Sequence, residues 1–99
     1  MRKINKNIIE WANQRGLLIP NNQKKQFNKL LEEVEELRVA IQTANLEEIV
    51  DSIGDIQVVL TILAKQYSLD VDKCLESAYN EIKDRQGKTI NGIFVKEVK

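Results

Sequence analysis

Lys29-Leu30-Leu31-Glu32-Glu33-Val34-Glu35-Glu36-Leu37 sets four carboxylates within five residues on an apolar series. Phe27, Leu30, Leu31, Val34, Leu37 and Ile41 recur at steps of three and four, which predicts a helix with one buried face centred near Val34. At about 100° per residue, Lys29, Glu32, Glu33 and Glu36 share an opposite arc, while Glu35 stands apart on the other flank. Like charges at this spacing repel by roughly a few tenths of a kcal/mol, so a cation is expected close by. Glu48, Asp51 and Asp55 form a second acidic group on the next helical stretch. Two acidic helices facing each other suit a hard divalent cation. The competing interpretation is a solvated charged face, which is common on Glu-rich helices. Against it stand the second acidic group and the shared arc of Glu32, Glu33 and Glu36.

Working outward, 99 residues read as one domain, 1–99, small enough to gain stability by association. Fifteen basic and fifteen acidic side chains balance, and the basic ones are scattered. A nucleic-acid polymer is therefore not the expected ligand. The chain has no histidine, which removes the usual zinc sites and the Ser-His-Asp triad. Cys74 sits in an apolar helical series and reads as a buried, inert thiol. No apolar run approaches 18 residues, so no membrane span is expected and the chain reads as cytoplasmic.

In chain order, Ile4, Ile8, Trp11 and Ala12 predict a first helix over Asn5–Arg15, with Gly16 as its left-handed cap. Trp11 reads as a core anchor, with a base-stacking platform as the functional alternative. Pro20 stops the connector from continuing as helix, and Asn21 or Asn22 caps a second helix reaching about Ala44. Asn45 and Glu48 fit a capping box, opening a third helix that runs to about Tyr67. Its main stripe is Leu46, Ile49, Ile53, Ile56, Leu60, Leu63 and Tyr67. Val58, Val59 and Ile62 make the other face apolar too, and this second face is expected to be a subunit interface. Asp70 caps a fourth helix with Val71, Cys74, Leu75, Ala78, Tyr79 and Ile82 as its core face, ended by Gly87. Asn91-Gly92 between apolar residues predicts a short hairpin in the tail. The fold expected is all-α, a four-helix bundle with a hairpin tail.

Magnesium commonly takes a few carboxylates together with substrate phosphates, and the two acidic helices can supply the protein's share. A remaining carboxylate can orient or deprotonate an attacking water. Lys83 and Arg85, with Lys29, can neutralise phosphate charge, and Asn80 shares a face with Lys83. For Lys83 and Arg85 the bland role is to complement a helix C-terminus. A Walker-type phosphate loop is absent from the sequence.

These residues resemble the MazG-like all-α nucleoside triphosphate pyrophosphohydrolases, a group related to dimeric dUTPases and phosphoribosyl-ATP pyrophosphohydrolase. The family's Glu-Glu-x-x-Glu-Leu reads here Glu32-Glu33-Val34-Glu35-Glu36-Leu37, and its Glu-Leu-Gly-Asp reads Ser52-Ile53-Gly54-Asp55. Its Asn-x-x-Lys followed by Arg reads Asn80-Glu81-Ile82-Lys83-Asp84-Arg85. The Asp51–Asp55 form and the Asn91–Lys96 tail resemble a branch common in phages and their hosts. The resemblance implies magnesium- or manganese-dependent hydrolysis of a nucleoside triphosphate to monophosphate and pyrophosphate by a homodimer or homotetramer. It implies Glu33, Glu36 and Asp55 as metal ligands, and Glu32 as a further ligand or the water-positioning base. On the residues' own chemistry, Lys83 is the expected catalytic cation, with Trp11, Lys29, Asn80 and Arg85 expected around the substrate. Ser52 stands where the family usually has a Glu ligand. Asp51 is the substitute expected, since residues four apart lie about 40° apart around a helix, and Glu48 is the next candidate. The alternatives are a helical oligomer that binds nucleotide or a protein without turnover, or phosphoribosyl-ATP as substrate.

Overall fold

The computed structural model describes residues 1–97. Four helices follow one another, α1 (Lys3–Gln14), α2 (Gln23–Gln42), α3 (Leu46–Gln66) and α4 (Val71–Ile82), and then a hairpin of β1 (Gly87–Ile90) and β2 (Ile93–Lys96). This is the expected all-α architecture with a hairpin tail. The two long helices, joined by three residues, fold back on each other, so that Gln23 at the start of α2 donates to the Gln66 carbonyl at the end of α3.

The helix ends show how the chain turns. After α1, Gly16 takes φ +71° and the Leu17 N–H reaches back to the Ala12 carbonyl at 3.0 Å. This closure satisfies carbonyls that a helix end would otherwise leave open. It recurs after α2, with Ala44 at φ +52° and Asn45 N–H on Ala40, and after α3, with Ser68 at φ +60° and Leu69 N–H on Ala64. Neither of those two positions is glycine, so the sequence did not announce them. The Asn45 side chain caps α3 by accepting from the Glu48 N–H at 3.2 Å. Its own N–H is committed to Ala40, which leaves Glu48 no reciprocal role in a capping box. Asp70 caps α4 through the Asp72 N–H. Asn22 stands at the N-cap of α2 but makes no side-chain cap bond there, and its amide instead donates to the Leu17 carbonyl. Gly87 does not end α4, which stops at Ile82. It begins β1, where an added Cβ would come within 2.7 Å of the Phe94 ring. Asn91 and Gly92 both take positive φ, as a two-residue hairpin turn of the primed type requires.

The buried faces are rotated from the apolar stripes. On α2 the buried residues are Gln26, Glu33 and Ala40, whereas Phe27, Leu31, Val34 and Ile41 stay substantially exposed. On α3, Val59 and Ile62 are buried by the chain itself, so the expectation that they form a subunit interface is overturned. Of the stripe expected to be core, Leu46, Ile53, Leu60 and Tyr67 are exposed, and Ile49, Ile56 and Leu63 are half-buried. Helix α1 turns Asn5 and Ala12 inward and leaves Ile4 and Trp11 out, so Trp11 is not a core anchor. Cys74, expected to be buried, is exposed. The inward faces combine short side chains that allow close approach, Ala12, Ala40 and Ser52, with the longer Gln26, Glu33, Val59 and Ile62.

Polar ties hold the periphery. Gln66 donates to the Leu17 carbonyl at 2.9 Å, pinning the connector to the end of α3. Asp72 receives the Arg2 N–H at 2.8 Å and the Asn5 amide at 2.9 Å, pinning the start of α4 to the start of α1. Beyond that, α4 packs only on α3, and among the described residues the hairpin packs on no helix. The radius of gyration is 16.2 Å, against about 13 Å for a compact domain of 100 residues.

A left-handed alanine is a strained position that glycine relieves. Ala44→Gly should therefore stabilise the protein by about 0.5–1 kcal/mol, roughly 2–8 °C in Tm. The same substitution at Ala40, inside α2, should lower Tm. Calorimetry on both variants checks the assignment, and equal effects would contradict it.

Candidate metal centre

Glu33 lies on the row of α2 that faces α3, flanked by half-buried Leu30 and Leu37, and its side chain is almost completely buried. One carboxylate oxygen accepts from the Lys29 ammonium at 3.3 Å, and the other, Oε2, is buried without a hydrogen-bond partner. An ionised carboxylate taken out of water is costly unless its oxygens are engaged. Glu36 lies one turn further along α2, and Asp55 comes across from α3. Carboxylate oxygens of Glu33, Glu36 and Asp55 all lie within 4.8 Å of one another.

Asp55 registers that crowding. Partial burial of its carboxyl raises its pKa, and the negative charges of Glu33 and Asp51 raise it further, with Lys29 opposing weakly. Lys29 is itself held protonated more firmly by Glu33 and then by Glu32, which it meets at 3.4 Å. The cation expected beside the acidic run is thus Lys29, one turn upstream on the same helix. A single ammonium shared by two glutamates does not balance three further charges from Glu36, Asp55 and Asp51. The donor set is entirely anionic oxygen, one oxygen is orphaned, and the negative charges stand close enough to disturb one another. These features fit a hard divalent cation bound by Glu33, Glu36 and Asp55.

The remaining sequence candidates are distributed unevenly. Glu32 is exposed and turned towards Lys29. Asp51 stands outside the close group of three, although its charge is felt at Asp55. Ser52 is buried, which gives it a packing role in the seam. Glu48 and Glu36 line one open hollow of about 470 Å3 with Val39 and Thr43, next to the carboxylates. Trp11 is half-exposed, with the Arg15 guanidinium 4.4 Å above its ring. Asn80, Lys83 and Arg85 are exposed at the far end of α4, which makes no packing contact with α2. A larger apolar groove of about 670 Å3, lined by Leu60, Tyr67, Cys74 and Leu75 among others, contains none of the three carboxylates. What sequence patterning missed is the buried row Gln26–Glu33–Ala40. Its seven-residue spacing was the available signal, hidden by the stronger apolar stripe beside it.

The raised Asp55 carboxyl has a sign that can be measured in metal-free protein. Its contribution to folding is fully present below the ordinary value of 3.8 and is lost as pH rises through the raised value. Asp55→Asn removes that loss, so in chelator at neutral pH the variant should melt above wild type, with the gap closing towards pH 4. Saturating magnesium should reverse the order. Equal melting temperatures in chelator at neutral pH would contradict the crowding.

Comparison with known proteins reaches the same region. The family model described as phosphoribosyl-ATP pyrophosphohydrolase matches residues 9–81, a span that includes Glu33, Glu36 and Asp55. The "Uncharacterized 18.2 kDa protein in rep-hol intergenic region" of Haemophilus phage HP1 (strain HP1c1) is 43% identical over 70 residues, covering 71% of this chain and 43% of the phage protein. The chain thus spans less than half the length of that relative. No solved structure gives a significant match. With the family model covering most of the four helices, this chain belongs to the phosphoribosyl-ATP pyrophosphohydrolase family, within the MazG-like all-α pyrophosphohydrolases.

Proposed function

We propose that this chain, as a single domain over residues 1–99, is a cytoplasmic, magnesium-dependent nucleoside triphosphate pyrophosphohydrolase. Water adds to the α-phosphorus, the bond to the α–β bridging oxygen breaks, and nucleoside monophosphate and pyrophosphate leave. The observation that carries this reading is the buried, unpartnered oxygen of Glu33 beside Glu36 and Asp55. Magnesium, or manganese, held by these three supplies Lewis-acid neutralisation of phosphate charge. Glu32, exposed on the same arc, takes the proton of the attacking water, and Lys29 orients it. Asp51 adds negative charge in place of the Glu that the family carries at Ser52. Lys83 and Arg85 with Asn80 meet the phosphates, and the half-exposed Trp11 ring is offered to the base.

A second substrate, phosphoribosyl-ATP, is favoured by the description of the matched family and would be cleaved at the same type of bond. A screen of nucleoside triphosphates and phosphoribosyl-ATP with magnesium, scored for pyrophosphate against orthophosphate, separates the two. Glu33→Gln, Glu36→Gln and Asp55→Asn should each lower turnover by about 100-fold or more with helical content intact. Asp51→Asn should raise the magnesium requirement more modestly. Activity that survives chelator, or full activity in Glu36→Gln, would overturn the metal reading. Nucleotide binding with no turnover anywhere in the screen would favour the binding-protein alternative.

The same reading makes the protein a homodimer or homotetramer, closed over the open apolar faces of α2 and α3. Light scattering at micromolar concentration should find at least two chains. Ile53→Glu, on the open face, should dissociate them, whereas Ile62→Glu, in the chain's own core, should unfold the protein. A monomeric wild type would refute the assembly.

A further inference from the structure

Lys29 stands where helix stability alone does not ask for it. On α2 it precedes Glu33 by four residues and Glu32 by three, and its ammonium meets both, at 3.3 and 3.4 Å. Pairs at this spacing support a helix best when the acid comes first, so the order here is the weaker one. The two acids also differ in what they require. Glu32 is solvated without help, whereas the Glu33 side chain is only 8% exposed. Of the two Glu33 oxygens, Oε1 is held by Lys29 and Oε2 is buried with no partner. The half-exposed lysine therefore occupies one oxygen of a buried carboxylate and leaves one for whatever Glu36 and Asp55 also bind.

That division bears on the choice of cation. Calcium takes roughly six to eight oxygens and accepts both oxygens of one carboxylate, whereas magnesium is smaller, holds an octahedral shell and retains water. We infer, building on the metal reading of Glu33, Glu36 and Asp55, that Lys29 is a positioning residue: it keeps Glu33 a one-oxygen ligand and so favours a magnesium-sized cation over calcium. With its side chain buried in the seam of α2 and α3, Glu33 has no route to water. The partner of Oε1 thus decides how many oxygens it offers. Glu36 and Asp55 are exposed, and water can serve their second oxygens. A bare electrostatic effect of Lys29 has a different signature. Removing one positive charge strengthens the binding of every dication alike, whereas loss of the Oε1 contact changes the ratio of the two affinities.

The test needs no turnover. Melting temperature, followed in chelator-treated protein as magnesium or calcium is added at constant pH and ionic strength, gives an apparent affinity for each ion. In Lys29→Met the calcium-to-magnesium affinity ratio should rise about tenfold or more over wild type, the scale on which partners of ligating groups act. Lys29→Ala, a good helix former at an exposed position, carries the same expectation should Lys29→Met fail to fold. Lys29→Arg keeps a cationic donor for Oε1 and should keep the ratio near that of wild type. Glu32→Gln frees Lys29 from its second acid without touching Oε1, so both affinities should fall while the ratio holds. An unchanged ratio in Lys29→Met and Lys29→Ala, with both affinities rising together, makes Lys29 a local charge only and overturns the inference. A ratio that shifts as far in Glu32→Gln also overturns it, because the shift then does not depend on the Glu33 contact. A wild type whose melting temperature responds to neither ion removes the metal reading and the inference together, whereas a response to both with an unchanged ratio in the variants removes the inference alone.

Discussion

The structure depends on a carboxylate placed where packing alone would not put one. Glu33 occupies the seam between α2 and α3, with one oxygen on Lys29 and the other without a partner. Burying a charge in that position works against folding, and no hydrophobic gain at Glu33 offsets it. The neighbours explain how the seam accommodates it. Ala40 lies two turns further along the same row, and Ser52 is buried on the side of α3 that also bears Asp55, so short side chains let the two helices approach. The three carboxylates thus project from two packed helices, Glu33 from the seam itself and Glu36 and Asp55 from its exposed edge. The burial of Glu33 costs stability, while Glu36 and Asp55 reach the same point from exposed positions on α2 and α3.

The rest of the chain reads as the minimum needed to hold that seam. Its fully apolar core is small, comprising Ala12, Ala40, Val59 and Ile62. Much of the fixing is done by directed polar contacts at helix ends: three left-handed caps, Gln66 on the Leu17 carbonyl, and Asp72 gathering Arg2 and Asn5. Hydrogen bonds of this kind contribute roughly 1 kcal/mol each, enough to set angles but not to replace a core. The apolar area that would ordinarily complete the domain faces outward along α2, α3 and α4.

How much was legible in the sequence follows from this division. Helix number, order and approximate ends could be read because periodicity, Gly16, Asn45 and Asp70 act locally. The hairpin could be read because Asn91-Gly92 supplies the two positive φ values its turn needs. The grouping of Glu33, Glu36 and Asp55 was suggested by two acidic arcs and by the family resemblance, and the structure brings these three together. The direction each helix faces could be read only in part: Ala12 is buried as expected and Leu30, Leu37, Ile56 and Leu63 are half-buried, but much of each apolar stripe is open. A hydrophobic stripe marks an apolar face, and its period alone does not say whether the same chain covers it. Phe27, Val34 and Ile53 therefore looked like core, while Val59 and Ile62 looked like interface. The left-handed Ala44 and Ser68 left no signature, since neither residue type favours that conformation.

The arrangement of α4 shows how one helix can meet two demands. Its first turn is fixed tightly, with Asp70 capping the helix and Asp72 tied to Arg2 and Asn5 at distances of 2.8–3.1 Å. The bond network pulls the Asp72 carboxyl below its ordinary range, chiefly through the Arg2 N–H, so the tie favours the ionised carboxylate. Leu75, Tyr79 and Ile82, the large apolar residues of the rest of the helix, are exposed. A helix is stiff over this length, so fixing its start also sets the line along which its end projects. The direction is decided inside the chain by a polar cluster, and the apolar end is left to be satisfied elsewhere. The placement of Lys83 and Arg85 at that exposed end is therefore set by contacts made at the other end of the helix.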